Sequence, residues 1–550
     1  MYQIKKELKK RENRPLLAIL GLATLIYLIG LNWGLPNTIS WQSDTLAPMR
    51  PLKGMFSLYS FGYFHKYPYV HSFILSILNA PIIVIYGVYY ILSGGSFSPA
   101  LFSEAIQGSK ILATTLILED RLIGVVMALG LIFNVFLMGR KLFGRQAGFF
   151  AALVVVLNQG INHLAHVAKV EVPYLFWGTL SIYALIWAIE TRERKFYIYT
   201  AIFSGLCYGS KDQGYAFFVL PFLMILILVP LFKDLKNKKV NSKYWKGAFL
   251  WFSIAFGGTF IIVENLILNW SGFLLRIGHL TGDAGFRSAA YPETIIGNLG
   301  MLLDTFMELN ALVSPVVVVF IFVGLVLLVK EKKISFSYTL PLLVCFSFYL
   351  TFLLIVRQTM PRFIVSISIF LAPYAGLGAA KLYKKAKVLT TIILIVPLLN
   401  TLLINFSLLS DPRYEMEKYM KQVMEEGDVI EYYSFQQYLP RFAEGTKSSV
   451  VKSPPQNFYN LEERHPDYII LTSKWYTRYI TKPNIKNSSL RYSVVEKMRR
   501  YEEQGYSQYF TDLIEGKRGY HVIKRVSAHS LTQGWLSLKI PDHLILLKKD

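Results

Sequence analysis

Apolar and polar positions are unevenly spread along these 550 residues. Apolar runs fall at 15–33, 70–92, 122–138, 147–162, 172–190, 196–209, 214–232, 247–268, 311–329, 335–356, 361–380 and 388–409. Many approach or exceed the roughly 18 residues a helix needs to cross a hydrocarbon core of about 30 Å. No soluble core of that extent is uniformly apolar, so the pattern predicts a polytopic α-helical membrane protein over residues 1–410. The pattern changes after the last run. Residues 411–550 mix polar and aromatic positions, with a helix predicted over Arg413–Glu426 and strands over Asp428–Tyr433, Ser448–Lys452 and Tyr468–Thr472, an α/β domain.

Charge sets the expected orientation. The chain is 53% hydrophobic, only 17% charged, and carries a net +23. Its cations cluster between apolar runs: the basic N-terminus, Arg140/Lys141/Arg145, Arg192/Arg194/Lys195, six lysines over Lys233–Lys246, Lys330/Lys332/Lys333 and Lys381/Lys384/Lys385/Lys387. Cytoplasmic loops are the ones enriched in Lys and Arg. That distribution argues against a nucleic-acid partner and for an integral protein of the cell or inner membrane with a cytoplasmic N-terminus. The run at 15–33 reads as an uncleaved first helix rather than a signal peptide. Alternation of charge then requires eleven crossings, an outer first loop over 34–121, outer segments at 163–171, 210–213, 269–310 and 357–360, and an extracytoplasmic C-terminal domain. The run at 70–92 is left as an interfacial or re-entrant helix. Cys207 and Cys345 both lie in apolar runs and read as buried small side chains, not as a disulfide or metal site.

Candidate chemistry lies at the outer ends of the runs. Asp44 follows the first helix, where a carboxylate can act as a general base. His65, Lys66 and His71 precede or open the run at 70–92, in a stretch that reads equally as an aromatic belt with a snorkelling lysine. Glu171 follows His163, His166 and Lys169, and a carboxylate at a membrane helix end must be paired or wet. The three acid and imidazole groups are loosely spaced for a metal. No cofactor is called for, and a divalent metal stays an open alternative. Lys211 and Asp212 form a tight turn. Arg276, Arg287 and Tyr291 belong to the long segment 269–310, and Arg357 and Arg362 flank the turn before another helix. Arginine forks bind phosphate through two parallel hydrogen bonds, and outer segments are otherwise poor in cations.

Taken in order, these motifs resemble the GT-C membrane glycosyltransferases, in particular the protein O-mannosyltransferase and aminoarabinose-transferase-like group. The resemblance runs from Asp44 through Lys66-Tyr67-Pro68, Arg121-Leu122, Gly139–Gly144, Glu171-Val172-Pro173-Tyr174 and Lys211 to Arg362-Phe363 and Pro373, with Pro466–Ile470 in the tail. Thr45 stands where the family usually has a second acid, and Tyr69 replaces a second proline. The resemblance implies an inverting transfer from a dolichyl- or polyprenyl-phosphate sugar to a protein, glycan or lipid acceptor. It implies Asp44 as base; on the mechanism expected from this, Glu171 orients the acceptor or the base, and Lys66, Lys211, Arg362 and Arg357 bind the donor phosphate. His65, His71, Arg276, Arg287 and Tyr291 are further candidates. The rival reading is a flippase for a lipid-linked glycan, which should carry ionisable residues deep in its helices.

Overall fold

The computed structural model describes residues 14–42, 44–46, 61–64, 67–95, 104–105, 108–224, 242–282, 290–331, 335–433, 435–443, 445–451, 460–480, 499, 501–529 and 540–550. The helices are α1 (Arg14–Leu28), α2 (Val70–Leu92), α3 (Lys110–Phe143), α4 (Arg145–Val156), α5 (Gln159–Ala165), α6 (Glu171–Thr191), α7 (Arg194–Ser210), α8 (Ser242–Val263), α9 (Trp270–Thr281) and α10 (Ile295–Val313). They continue with α11 (Pro315–Lys330), α12 (Phe336–Phe348, extended through a π turn to Val356), α13 (Pro361–Lys385), α14 (Lys387–Leu409) and α15 (Pro412–Val423).

Six of the described helices are long and apolar enough to cross a membrane, or eight if two bent pairs each count as one span. Eleven crossings were expected. The difference lies in length: α1 and α7 are described over 15 and 17 residues, and the run at 214–232 is described only as far as residue 224. The run at 147–162 is broken rather than straight: α4 ends at Val156, and Asn158 caps α5 across a 61° bend. The run at 70–92, expected as an interfacial or re-entrant segment, forms one continuous helix of 23 residues that is itself among the six long and apolar enough to cross; only one side of its first half is buried.

The bundle is organised around α13, which is enclosed along its length. Small residues allow this. A Cβ on Gly376 would strike the backbone of α4, and one on Gly378 or Gly324 would strike the backbone between α11 and α13. Close approach through small residues is how membrane helices associate where lipid supplies no hydrophobic drive. Buried amides add hydrogen bonds across the bundle. Asn158 donates to Ser368 at 2.8 Å, Asn162 to Asn405 at 2.6 Å, and Asn405 to the Ile26 carbonyl at 2.6 Å, joining α1, α5, α13 and α14.

The C-terminal strands are β1 (Val429–Tyr432), β2 (Lys447–Val450), β3 (Tyr468–Thr472), β4 (Tyr520–Ser527) and β5 (His543–Lys549), in the order β2-β1-β3-β5-β4. β1 pairs in parallel with β2 and β3, while β5 is antiparallel to β3 and β4. α15 covers one face through Met416 and Met420; a tyrosine-rich cluster that includes Tyr433, Tyr479 and Tyr509 covers the other.

A buried charge knot joins this sheet to the bundle. Arg413 grips both oxygens of Asp411, at 2.9 and 2.6 Å, and donates to the Gln437 carbonyl at 2.8 Å. Its guanidinium carbon sits 4.1 Å from the Trp41 ring centroid. The Trp33 indole donates to Asp411 at 2.9 Å, and the Gly34 amide to the Tyr414 hydroxyl at 2.8 Å.

Two variants test these packing arguments. Gly324→Val should abolish the folded, monodisperse species in detergent size-exclusion chromatography, whereas Ala at the exposed Gly21, which faces open space, should leave it intact. Arg413→Met leaves Asp411 buried without its cation, which costs on the order of 3–5 kcal/mol for such pairs; the unfolding temperature should fall accordingly.

Candidate active site

The end of α1 and the first loop lie against the ends of α5, α6, α7 and α13. Arg121 on α3, fully buried, donates to the carbonyls of Leu31 and Trp33 and so holds the exit of α1. Further along, the Leu46 amide donates to the Ala168 carbonyl at 2.9 Å, clasping the first loop to the α5–α6 turn. Asp44 lies between these anchors, with a positive φ of 59°. Aspartate tolerates that left-handed conformation better than most residues.

Four of the sequence candidates converge here. Asp44 Oδ2 is 3.7 Å from an Arg362 nitrogen, both side chains about one-third exposed (33% and 37%). Deeper, Lys211 Nζ is 3.1 Å from Glu171 Oε1, with both side chains nearly enclosed. Local structure explains each placement. Pro361 starts α13, so Arg362 occupies its first turn. Glu171 begins α6, where the helix dipole favours a carboxylate. Lys211 ends α7 in extended conformation, which turns it out of the helix. Tyr174 and Phe363 flank the lysine, with ring centroids 5.1 and 5.8 Å from Nζ.

Lys169 completes the cluster. The sequence reading noted it only as a neighbour of Glu171. Burial pushes its ammonium down to about 8, opposed by Glu171 and Asp44 and assisted by Arg362 and Lys211. A lysine two residues before an acidic helix start, in a cation-poor segment, was the available signal. Within the cluster, the enclosed second oxygen of Glu171 and the Nε of Arg362 have no hydrogen-bond partner.

Other candidates fall elsewhere. Arg357, also left-handed at φ 51°, donates to the Tyr291 carbonyl at 2.9 Å, to the Pro292 carbonyl, and to Asn298 at 2.9 Å. The Tyr291 hydroxyl donates to Asp304 at 2.5 Å and meets Thr359 at 2.9 Å. Arg276 is fully buried between Glu264 and Asp212, the latter at 3.0 Å. His71 is buried in α2, its Nδ1 without a hydrogen-bond partner. His65, Lys66 and Arg287 lie outside the described residues. Both ring nitrogens of His166 face backbone carbonyls, of Asn162 and Ile29, at 2.7 Å. Among the described residues no three His, Cys, Asp or Glu side chains converge as metal ligands.

The arrangement offers a half-exposed carboxylate beside three cations, two of them enclosed. Such a site can hold a singly charged phosphate ester and accept a proton next to it.

Comparison with known proteins gives the following similarities. No curated protein sequence matches the chain. Among solved structures, ArnT from Cupriavidus metallidurans bound to undecaprenyl phosphate aligns with a TM-score of 0.47 and 11% identity, over 84% of this chain and 94% of that one. The Archaeoglobus fulgidus oligosaccharyltransferase in complex with Zn and sulfate aligns with a TM-score of 0.42 and 14% identity, over 84% and 69%. AglB from Archaeoglobus fulgidus with an inhibitory peptide and a dolichol-phosphate gives 0.45 and 12%, over 95% and 80%. In sequence, residues 102–257 match the profile of the dolichyl-phosphate-mannose-protein mannosyltransferase family, a stretch that holds Arg121, Lys169, Glu171 and Lys211 but not Asp44 or Arg362. The resemblance carried by the order of the sequence motifs is thus borne out over residues 102–257, which match the dolichyl-phosphate-mannose-protein mannosyltransferases.

Proposed function

We propose that the protein is an inverting glycosyltransferase that moves one sugar from a polyprenyl- or dolichyl-phosphate donor to an acceptor at the outer face of the membrane. The observation that carries this reading is the convergence of Asp44 with Arg362, Lys211 and Lys169 at one end of the bundle. In this reading residues 1–410 form the catalytic domain and the extracytoplasmic segment 411–550 screens or binds the acceptor.

The cations receive the donor phosphate. Arg362 is the exchangeable one, because its contact with Asp44 is long and half-exposed. Drawing it onto the phosphate frees the carboxylate. Asp44 then takes the proton of the acceptor hydroxyl while that oxygen attacks the anomeric carbon from the face opposite the phosphate. The carbon–oxygen bond to phosphate breaks, and its electron pair stays on the lipid phosphate, stabilised by the three cations. Glu171 keeps Lys211 charged and aimed. Lys66 is assigned to the same phosphate from the sequence. Arg357, also read there as a phosphate ligand, instead fixes the Tyr291–Pro292 backbone in this mechanism.

Asp44→Asn keeps the shape and removes the base. Sugar release from a radiolabelled polyprenyl-phosphate sugar panel, with membranes supplied as acceptor, should fall by roughly 10²–10⁴-fold; full activity in a folded variant would rule out this role. Lys169 predicts a pH dependence. Its charge is present below about 8 and lost as pH rises through that value. Donor affinity should therefore be flat near neutral pH and decline above 8. A bound phosphate stabilises the charged form, so the step should move to higher pH for kcat than for kcat/KM. In Lys169→Arg the step should vanish from both profiles.

A further inference from the structure

The segment 269–310 reads in sequence as an outer connection, yet most of its second half is the 19-residue helix α10. Ser314, with a φ of 77°, breaks the chain between α10 and α11, and the two helices bend by 111° there. α11 is apolar throughout apart from its terminal Lys330. If it runs along the membrane normal, α10 runs close to the membrane plane.

The side chains of α10 are arranged the wrong way round for water. Ile295, Leu299, Leu302, Leu303, Phe306 and Met307 are all more than half exposed. Their spacing of three and four residues places them on one face. That stripe contains no charged residue; Asp304 and Glu308 lie away from its centre and are only partly exposed. Gly297, Gly300, Met301 and Thr305 pack against the protein. An uncharged apolar stripe of about three and a half turns, on a helix nearly perpendicular to an apolar one, fits the boundary between lipid headgroups and acyl chains.

We infer that α10 is an in-plane membrane-surface helix whose apolar stripe is covered by lipid acyl chains, and that it sets the height of the charge cluster above the bilayer. The connection to the cluster is on its other side. Asn298 and Asp304 of α10 bind Arg357 and Tyr291. Tyr291 meets Thr359, two residues before α13 begins at Pro361. Arg362 therefore stands five residues from a turn bolted to α10, and the depth of one fixes the depth of the other. This inference concerns placement in the bilayer and does not depend on the transferase reading.

The test is depth-resolved fluorescence quenching of the full-length protein in vesicles. Single cysteines introduced as Leu303→Cys and Phe306→Cys carry an environment-sensitive label, and the lipids carry nitroxides near the headgroup or deep in the chain. Labels on α10 should be quenched several-fold more by the shallow nitroxide than by the deep one. A label at exposed Leu399 on α14 should show the reverse order, and one at exposed Glu425 should respond to neither. Deep quenching of α10 would make it a re-entrant helix, and absence of quenching would mean that water or a second copy covers the stripe. Either result overturns the inference.

Discussion

An arginine that loses contact with water must have its charge and its donors answered by neighbours, and Arg413 meets that demand with groups from three parts of the chain. Asp411 supplies the counter-charge, Gln437 a carbonyl and Trp41 an aromatic face. Trp33, just beyond α1, binds the same carboxylate. Removing any partner leaves a buried charge incompletely satisfied, and that penalty is what keeps the parts together. Asp44 comes three residues after Trp41, so the knot and the Leu46–Ala168 clasp together define where its carboxylate can reach.

The two ion pairs of the site sit in different surroundings. Lys211 and Glu171 are enclosed, where water screens little and separation is costly. Asp44 and Arg362 are half-exposed and farther apart, and such pairs contribute little to stability. The inner pair is thus a fixed part of the scaffold and the outer pair a replaceable contact. Counting Asp44 and Glu171 against Lys169, Lys211 and Arg362, the cluster carries one excess positive charge, the complement of a phosphodiester.

Much of this was legible in the sequence because membrane helices and their charged ends are strong local signals. The apolar runs gave most of the helices, and Asp44, Glu171, Lys211 and Arg362 were singled out as charges at helix ends. β1, β2 and β3 fell close to the strands predicted from residues 428–472. β4 and β5 were missed; β5 is a short apolar run isolated after a polar stretch, and it acquires meaning only by lying beside β3. Lys169 was noted only beside Glu171 because Asp44, Lys211 and Arg362, the rest of its charged surroundings, lie 40 and more residues away, and α10 was missed because the apolar face that defines it borders a break at Ser314 that periodicity does not reveal. Arg276 and Arg357 lie apart from the cluster. Each is a cation at a plausible position, but folding commits one to Glu264 and Asp212 and the other to the Tyr291–Pro292 backbone, contacts that no local window contains.

The enclosure of α13 bears on which parts of the site can travel during a reaction cycle. Gly324, Gly376 and Gly378 hold that helix against α4 and α11 with no room for an added methyl group, so Arg362 projects from a tightly packed helix. Asp44 rides on a connecting segment held at either end. In the proposed transfer the two groups would therefore differ in what carries them: Arg362 would reach a docked phosphate from a packed helix, and Asp44 would come to it from a connecting loop.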